Sequence, residues 1–132
     1  MKIKTNQLTG AALDWAVAKC EGVTVLPKMR GGCYVTLNKG ETVLLCYSTD
    51  WAQGGPIIER ERIELKCWDG TWGVEKGTWV AEVLHEDRRY GGVMSSEGQG
   101  PTILLAAMRC YVASKLCDQF TNEVDVPDEL LK

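Results

Sequence analysis

Histidine is almost missing from this chain: His85 is the only one in 132 residues. A single imidazole within His85-Glu86-Asp87-Arg88-Arg89 gives no basis for a Ser/His/Asp or Cys/His nucleophilic pair, and a solvent-facing side chain is the plainer expectation. A basic surplus is missing too. Fifteen Lys and Arg against eighteen Asp and Glu leave a net charge of −3, so no positive field draws the chain onto duplex nucleic acid or anionic lipid. Apolar runs such as Ile103 to Met108 are far shorter than the roughly 20 residues that span a bilayer. The first residues, Met1-Lys2-Ile3-Lys4-Thr5-Asn6-Gln7, lack the apolar core of a signal peptide, and an intracellular protein is expected.

Metal and redox signatures are also wanting. The cysteines Cys20, Cys33, Cys46, Cys67, Cys110 and Cys117 contain no Cys-x-x-Cys pair. Without an export signal, and with enough apolar residues for a core, they are expected to be structural thiols rather than disulfides or metal ligands. Neither a Walker loop nor a dinucleotide fingerprint is found, so no cofactor is called for.

What is there fits one globular domain over residues 1–132, 45% hydrophobic and 25% charged. Leu13, Ala16, Val17 and Cys20 predict a helix over residues 10–21, with Thr9 as its N-cap, Gly22 just past its end and Leu8 stapled to Leu13. Residues 34–37 and 42–47 read as a hairpin. A second hairpin is expected around Asp69-Gly70, between residues 63–67 and Thr71-Trp72. Residues 78–84 read as a central strand. Residues 85–100, charged and then rich in Gly and Ser, are expected as a mobile loop. A more deeply buried helix follows over residues 101–118, with Pro101 in its first turn. Residues 119–132 form an acidic tail that either docks through Val124, Val126, Leu130 and Leu131 or frays. The fold class expected is α+β: an antiparallel sheet of four to six strands with two main helices packed on one face.

The chemistry concentrates between residues 48 and 60. Asp50, Trp51, Gln53, Gly54, Gly55 and Arg60 place carboxylate, indole, amide, two glycines and a guanidinium in quick succession. As a loop, this stretch can stack a flat ring on Trp51 and offer backbone amides to a ligand. The alternative is a structural turn, with Asp50 bonding its own backbone and Trp51 filling the core. Gly98-Gln99-Gly100-Pro101-Thr102 opens a helix whose free amides suit an anion, or are simply capped by Thr102. Arg109 lies about two turns further on, on a mostly apolar helix, where it needs a carboxylate, a group of carbonyls or a ligand phosphate; a structural pair with Asp50 or Glu59 is the plainer expectation. Glu59-Arg60-Glu61-Arg62 also reads as a solvated ladder of ion pairs.

Three blocks together carry a resemblance: residues 8–18 (LTGAALDWAVA), residues 48–60, and Gly100-Pro101-Thr102 with residues 106–115 (AAMRCYVASK). They resemble the NinX-like phage and prophage proteins, a family classed as a domain of unknown function. The resemblance implies a phage-encoded accessory protein acting in the host bacterial cytoplasm. It transfers no catalytic residue.

The functional expectation is a binding module without turnover. A small nucleotide-like ligand would be held by Asp50, Trp51, Gln53, Gly54, Gly55, Arg60, Thr102 and Arg109, and a host defence signal would be sequestered in this way. A homodimer with the site near its interface is a further expectation, with no membrane and no duplex nucleic acid as partner. Two alternatives stay open: a protein–protein interaction module that inhibits a host or phage enzyme, its tryptophans forming a hot spot, and a small hydrolase using Asp50 or Glu59 as base.

Overall fold

The computed structural model describes residues 1–23, 33–36, 42–71, 75–86, 91–116 and 123–131. At its centre is the helix α3 (Ile103–Lys115), in which Leu104 and all residues from Ala106 to Val112 are buried. Thr102 caps it, its Oγ1 accepting from the Leu105 amide at 3.2 Å, and Pro101 lies just outside the helix rather than in its first turn. A helix buried on nearly every side needs small residues where its neighbours come closest, and Ala106, Ala107 and Cys110 supply them.

α3 packs on a three-stranded antiparallel sheet, order β4 (Glu64–Cys67), β5 (Trp79–Glu86), β6 (Val93–Gly100). Trp79 faces Gly100 in register, and the ladder runs to Glu86 opposite Val93. β6, with the end of β5, corrects the mobile loop expected over residues 85–100, of which residues 87–90 lie outside the described residues. Its sequence, Val-Met-Ser-Ser-Glu-Gly-Gln-Gly, has too few apolar residues to read as a strand. It is one because α3 lies directly against it. A Cβ at Gly98 would collide with the Ala106 carbonyl oxygen and the Cys110 amide, so glycine here sets how near the helix comes.

β4 pairs with β5, and Thr71 lies in the connection instead of opposite β4 as the second hairpin required. Bonds from the Trp68 amide to the Thr78 carbonyl (2.8 Å) and from the Gly77 amide to the Trp68 carbonyl (3.0 Å) extend that pairing. Asp69 and Thr71 form a side-chain-stabilised turn inside the connection, and Trp72 lies outside the described residues.

α1 (Gly10–Cys20) crosses α3 and buries Ala12, Leu13, Ala16, Val17 and Ala18, a wider stripe than the spacing suggested. Leu8 is buried beside it, as a staple residue should be. The first hairpin is present as β2 (Cys33–Thr36) paired with β3 (Thr42–Leu45); its turn lies outside the described residues. The tail docks: β7 (Glu123–Asp125) pairs with β1 (Lys2–Lys4), burying Val124 and Val126. The architecture is therefore α+β with antiparallel pairing, as the pattern predicts. The seven described strands divide into sheets of two, two and three.

A third helix, α2 (Trp51–Glu61), occupies the stretch expected to be a loop. Gly-Gly-Pro in its middle reads as a breaker, yet Pro56 only removes one amide from an exposed face, and Ile57 anchors the helix in the core. α2 ends at Arg62, which adopts a left-handed conformation (φ 54°) normally left to glycine.

Candidate functional site

Asp50 is the N-cap of α2. Its Oδ1 accepts from the Ala52 amide at 3.0 Å, and its Oδ2 from Gln53 Nε2 at 3.4 Å. Gln53 turns back to β3, taking a bond from the Cys46 amide (2.8 Å) and donating to the Leu44 carbonyl (3.3 Å). Both side chains thus hold the turn from which α2 starts. Gly54 is buried, and a Cβ there would collide with the Tyr47 carbonyl oxygen and with Leu104, so α2 can lie against the turn and α3 only with glycine. A Cβ at Gly55 would come 3.6 Å from Trp51 Cε3, which places the indole over the first turn of its own helix.

Trp51 itself is 55% exposed, the opposite of a core plug. It stands at a cavity of about 490 Å³ lined by Ser48, Thr49, Trp79, Pro101, Thr102 and the first residues of α3, including Leu104 and Leu105. The N-termini of α2 and α3 both reach this cavity. Its lining is mostly apolar, with hydroxyls as the polar groups. Behind it, the buried Asp14 of α1 accepts from the Ser48 amide at 2.9 Å. Burial raises the Asp14 carboxyl above its ordinary range, and Ser48 partly opposes that shift.

On the other side of Pro101 lies a second cavity of about 430 Å³, lined by Asn6, Glu75, Lys76, Gly77, Thr78, Gln99, Gly100 and Arg109 as well. Arg109 is buried, and the groups it meets are carbonyls: Nε donates to Leu8 O at 2.8 Å and Nη1 to Gln99 O at 2.7 Å. No carboxylate among the described residues forms an ion pair with it. Desolvation lowers its pKa, the expected effect on a cation that burial leaves without an anion. Asn6 fixes the same edge, its Oδ1 accepting from the Gln99 amide at 3.0 Å.

Trp51 and Arg109 thus line two cavities that share Pro101 as a wall. Thr102 lines the Trp51 side, its hydroxyl committed to the cap. Arg60 lies at the far end of α2, about 13 Å along the helix from Trp51 at 1.5 Å per residue. It bonds Glu21 (3.0 Å) and the Tyr111 hydroxyl (3.2 Å) there. The spacing did not single out Trp79, Asn6 or Lys76, and Ser48 entered only as the first residue of the 48–60 stretch. Trp79 carried a readable signal, as an aromatic at a strand start, whereas Asn6 and Lys76 reach the cavity only through the tertiary fold.

Nucleophilic chemistry finds little support. Burial pushes the Cys110 thiol up to about 12, and His85 pairs with Ser96 Oγ at 2.8 Å. Cys20, Cys46, Cys67 and Cys110 are all outside disulfides.

A family model described as Bacteriophage P22, NinX matches residues 4–115. The chain belongs to the NinX family. Membership makes it a phage accessory protein, and the matched span of NinX holds both cavities with all eight candidate residues. Among curated proteins, none matches the chain significantly. No described helix of this NinX protein is long and apolar enough to cross a membrane.

Proposed function

We propose that this phage accessory protein binds a small nucleotide-like ligand without turnover, across the wall formed by Gly100 and Pro101. The observation that carries this reading is the pairing of unlike compartments: an apolar cavity with a solvent-facing indole, next to a polar one holding a buried guanidinium that lacks an anion. A base stacks on Trp51 between apolar walls, and its phosphate is drawn towards Arg109 and Lys76. Asp50, Gln53, Gly54 and Gly55 act by holding Trp51 in place, and Thr102 by presenting the start of α3. Arg60 serves as an anchor for the far end of α2. A ligand held so, and not converted, is withdrawn from its receptor, which suits sequestration of a host defence signal in the bacterial cytoplasm.

Titration with nucleoside mono- and cyclic phosphates, followed by tryptophan fluorescence and thermal shift, tests the proposal. Saturable binding is expected, weakened at least about fivefold by Trp51→Ala, since base–aromatic stacking contributes about 1–3 kcal/mol. The ligand should be recovered unchanged from the heated complex. Binding that ignores Trp51, or a converted ligand, would sink the reading.

A second reading rests on the outer face of the sheet. Leu84 and Val93 are 65% and 72% exposed there, chemistry suited to a protein partner. A pull-down yielding one stoichiometric enzyme, with no nucleotide bound, would favour it.

A further inference from the structure

The three-stranded sheet has one face beneath α3 and one towards solvent. Ala81, Val83 and Gly98 point to the helix, so the residues that alternate with them point outward. Glu82 stands opposite Glu64 on one side and Glu97 on the other, which sets three exposed carboxylates in one row across β4, β5 and β6. Like charges directly opposed in a sheet cost stability. Among the described residues no ion pair relieves this row. The Lys66 ammonium lies over the Trp68 ring instead, 5.2 Å from its centroid, and Glu97 accepts only from Gln99 Nε2 at 3.2 Å. The same face exposes apolar residues beside the row, Leu84 at 65% and Val93 at 72%. A hollow of about 260 Å³ opens there between Leu84, Glu82, Glu64 and the end of α2 at Glu61 and Arg62.

We infer that this face docks a basic amphipathic helix of a partner protein, laid across the strands. The inference rests on the second reading above and names the chemistry of its partner. Adjacent strands lie about 4.8 Å apart, so the two outer carboxylates of the row are about 10 Å from each other. Lys or Arg at positions i, i+4 and i+7 of a helix share one side and cover about 10.5 Å along its axis. Three cations then meet three carboxylates one to one, and the opposed charges that burden the free sheet are neutralised. Apolar residues along the flank of that helix meet Leu84 and Val93. The hollow takes the aliphatic stem of a long basic side chain, with its charged head at Glu64 and Glu82. A strand added at either sheet edge would run parallel to β5 and miss the row. Nucleic acid and anionic lipid are repelled by the same carboxylates.

The test titrates the full chain into labelled helical peptides of about five turns, followed by fluorescence anisotropy. Two peptides share one Leu face; the first carries Lys at the i, i+4 and i+7 positions and the second carries Gln there. Spermine serves as a polycation without a helix. The Lys peptide is expected to bind saturably, about tenfold tighter than the Gln peptide, the combined size of three surface ion pairs. Glu82→Lys should abolish that advantage, and Leu84→Ser should weaken both peptides. Melting temperature separates a docking role from a structural one. Glu82→Gln removes the middle one of three opposed charges, so it should melt at the wild-type temperature or above it, and a lower value would overturn the inference. Equal binding of the Lys and Gln peptides, lost in Leu84→Ser, would overturn the basic partner and leave the protein-partner reading standing. Spermine binding as tightly as the Lys peptide would overturn the helix in favour of a simple polycation. Binding of neither peptide would also overturn the inference, and the pull-down then decides the protein-partner reading by itself.

Discussion

The two compartments on either side of Pro101 are built in opposite ways. On the Arg109 side the functional-looking group is part of the framework. The guanidinium ties the carbonyl of Leu8 to that of Gln99, and glycines at 98 and 100 let β6 press against α3. On the Trp51 side the framework is made by others, namely Asp50, Gln53, Gly54 and Asp14, and the indole is left facing solvent. A residue that the fold uses as a tie can still lend its charge to a ligand. One that the fold supports but does not use is the better sign of a site.

This contrast can be broken by substitution. The largest effect is expected from Gly98→Ala, whose methyl would have to displace the α3 backbone; a loss of about 3 kcal/mol in denaturant unfolding should follow. Arg109→Met should come next, at about 2–3 kcal/mol, because it strands two carbonyls that its guanidinium satisfies. If Arg109→Met left stability unchanged, the Arg109 side would be no more structural than the Trp51 side.

Asp14→Asn sharpens the contrast through pH. The Asp14 carboxyl is raised in the folded state, so above the ordinary carboxylate range the unfolded chain releases this proton first and folding is penalised. Stability from this group is greatest below its unfolded pKa and declines as pH rises towards the folded one. Asp14→Asn should flatten that decline, measured as the unfolding midpoint against pH. The smallest effect on folding is expected from Trp51→Ala, under about 1 kcal/mol, since more than half the indole is already in water.

The two helices richest in buried apolar residues were legible before the structure. Leu13, Ala16 and Val17 announce α1, and the mass of apolar residues after Pro101 announces α3. What misled was local chemistry overruled by packing. Gly54-Gly55-Pro56 looks like a chain reversal, yet Gly54 is there so that α2 can touch Tyr47 and Leu104. Gly98 and Gly100 look like loop residues, yet they lie beneath a helix. In both places glycine serves tertiary proximity rather than backbone freedom, and a single sequence does not separate those two uses. The candidate site was legible in part: Trp51 and Thr102 do line one cavity, with Arg109 beyond Pro101.

The packing of Gly98 and Gly100 beneath α3 has one more consequence. The division between the two chambers is thus set by side chains that are missing: a methyl at Gly98 would wedge β6 off the helix, and the Pro101 that follows β6 would be carried with it.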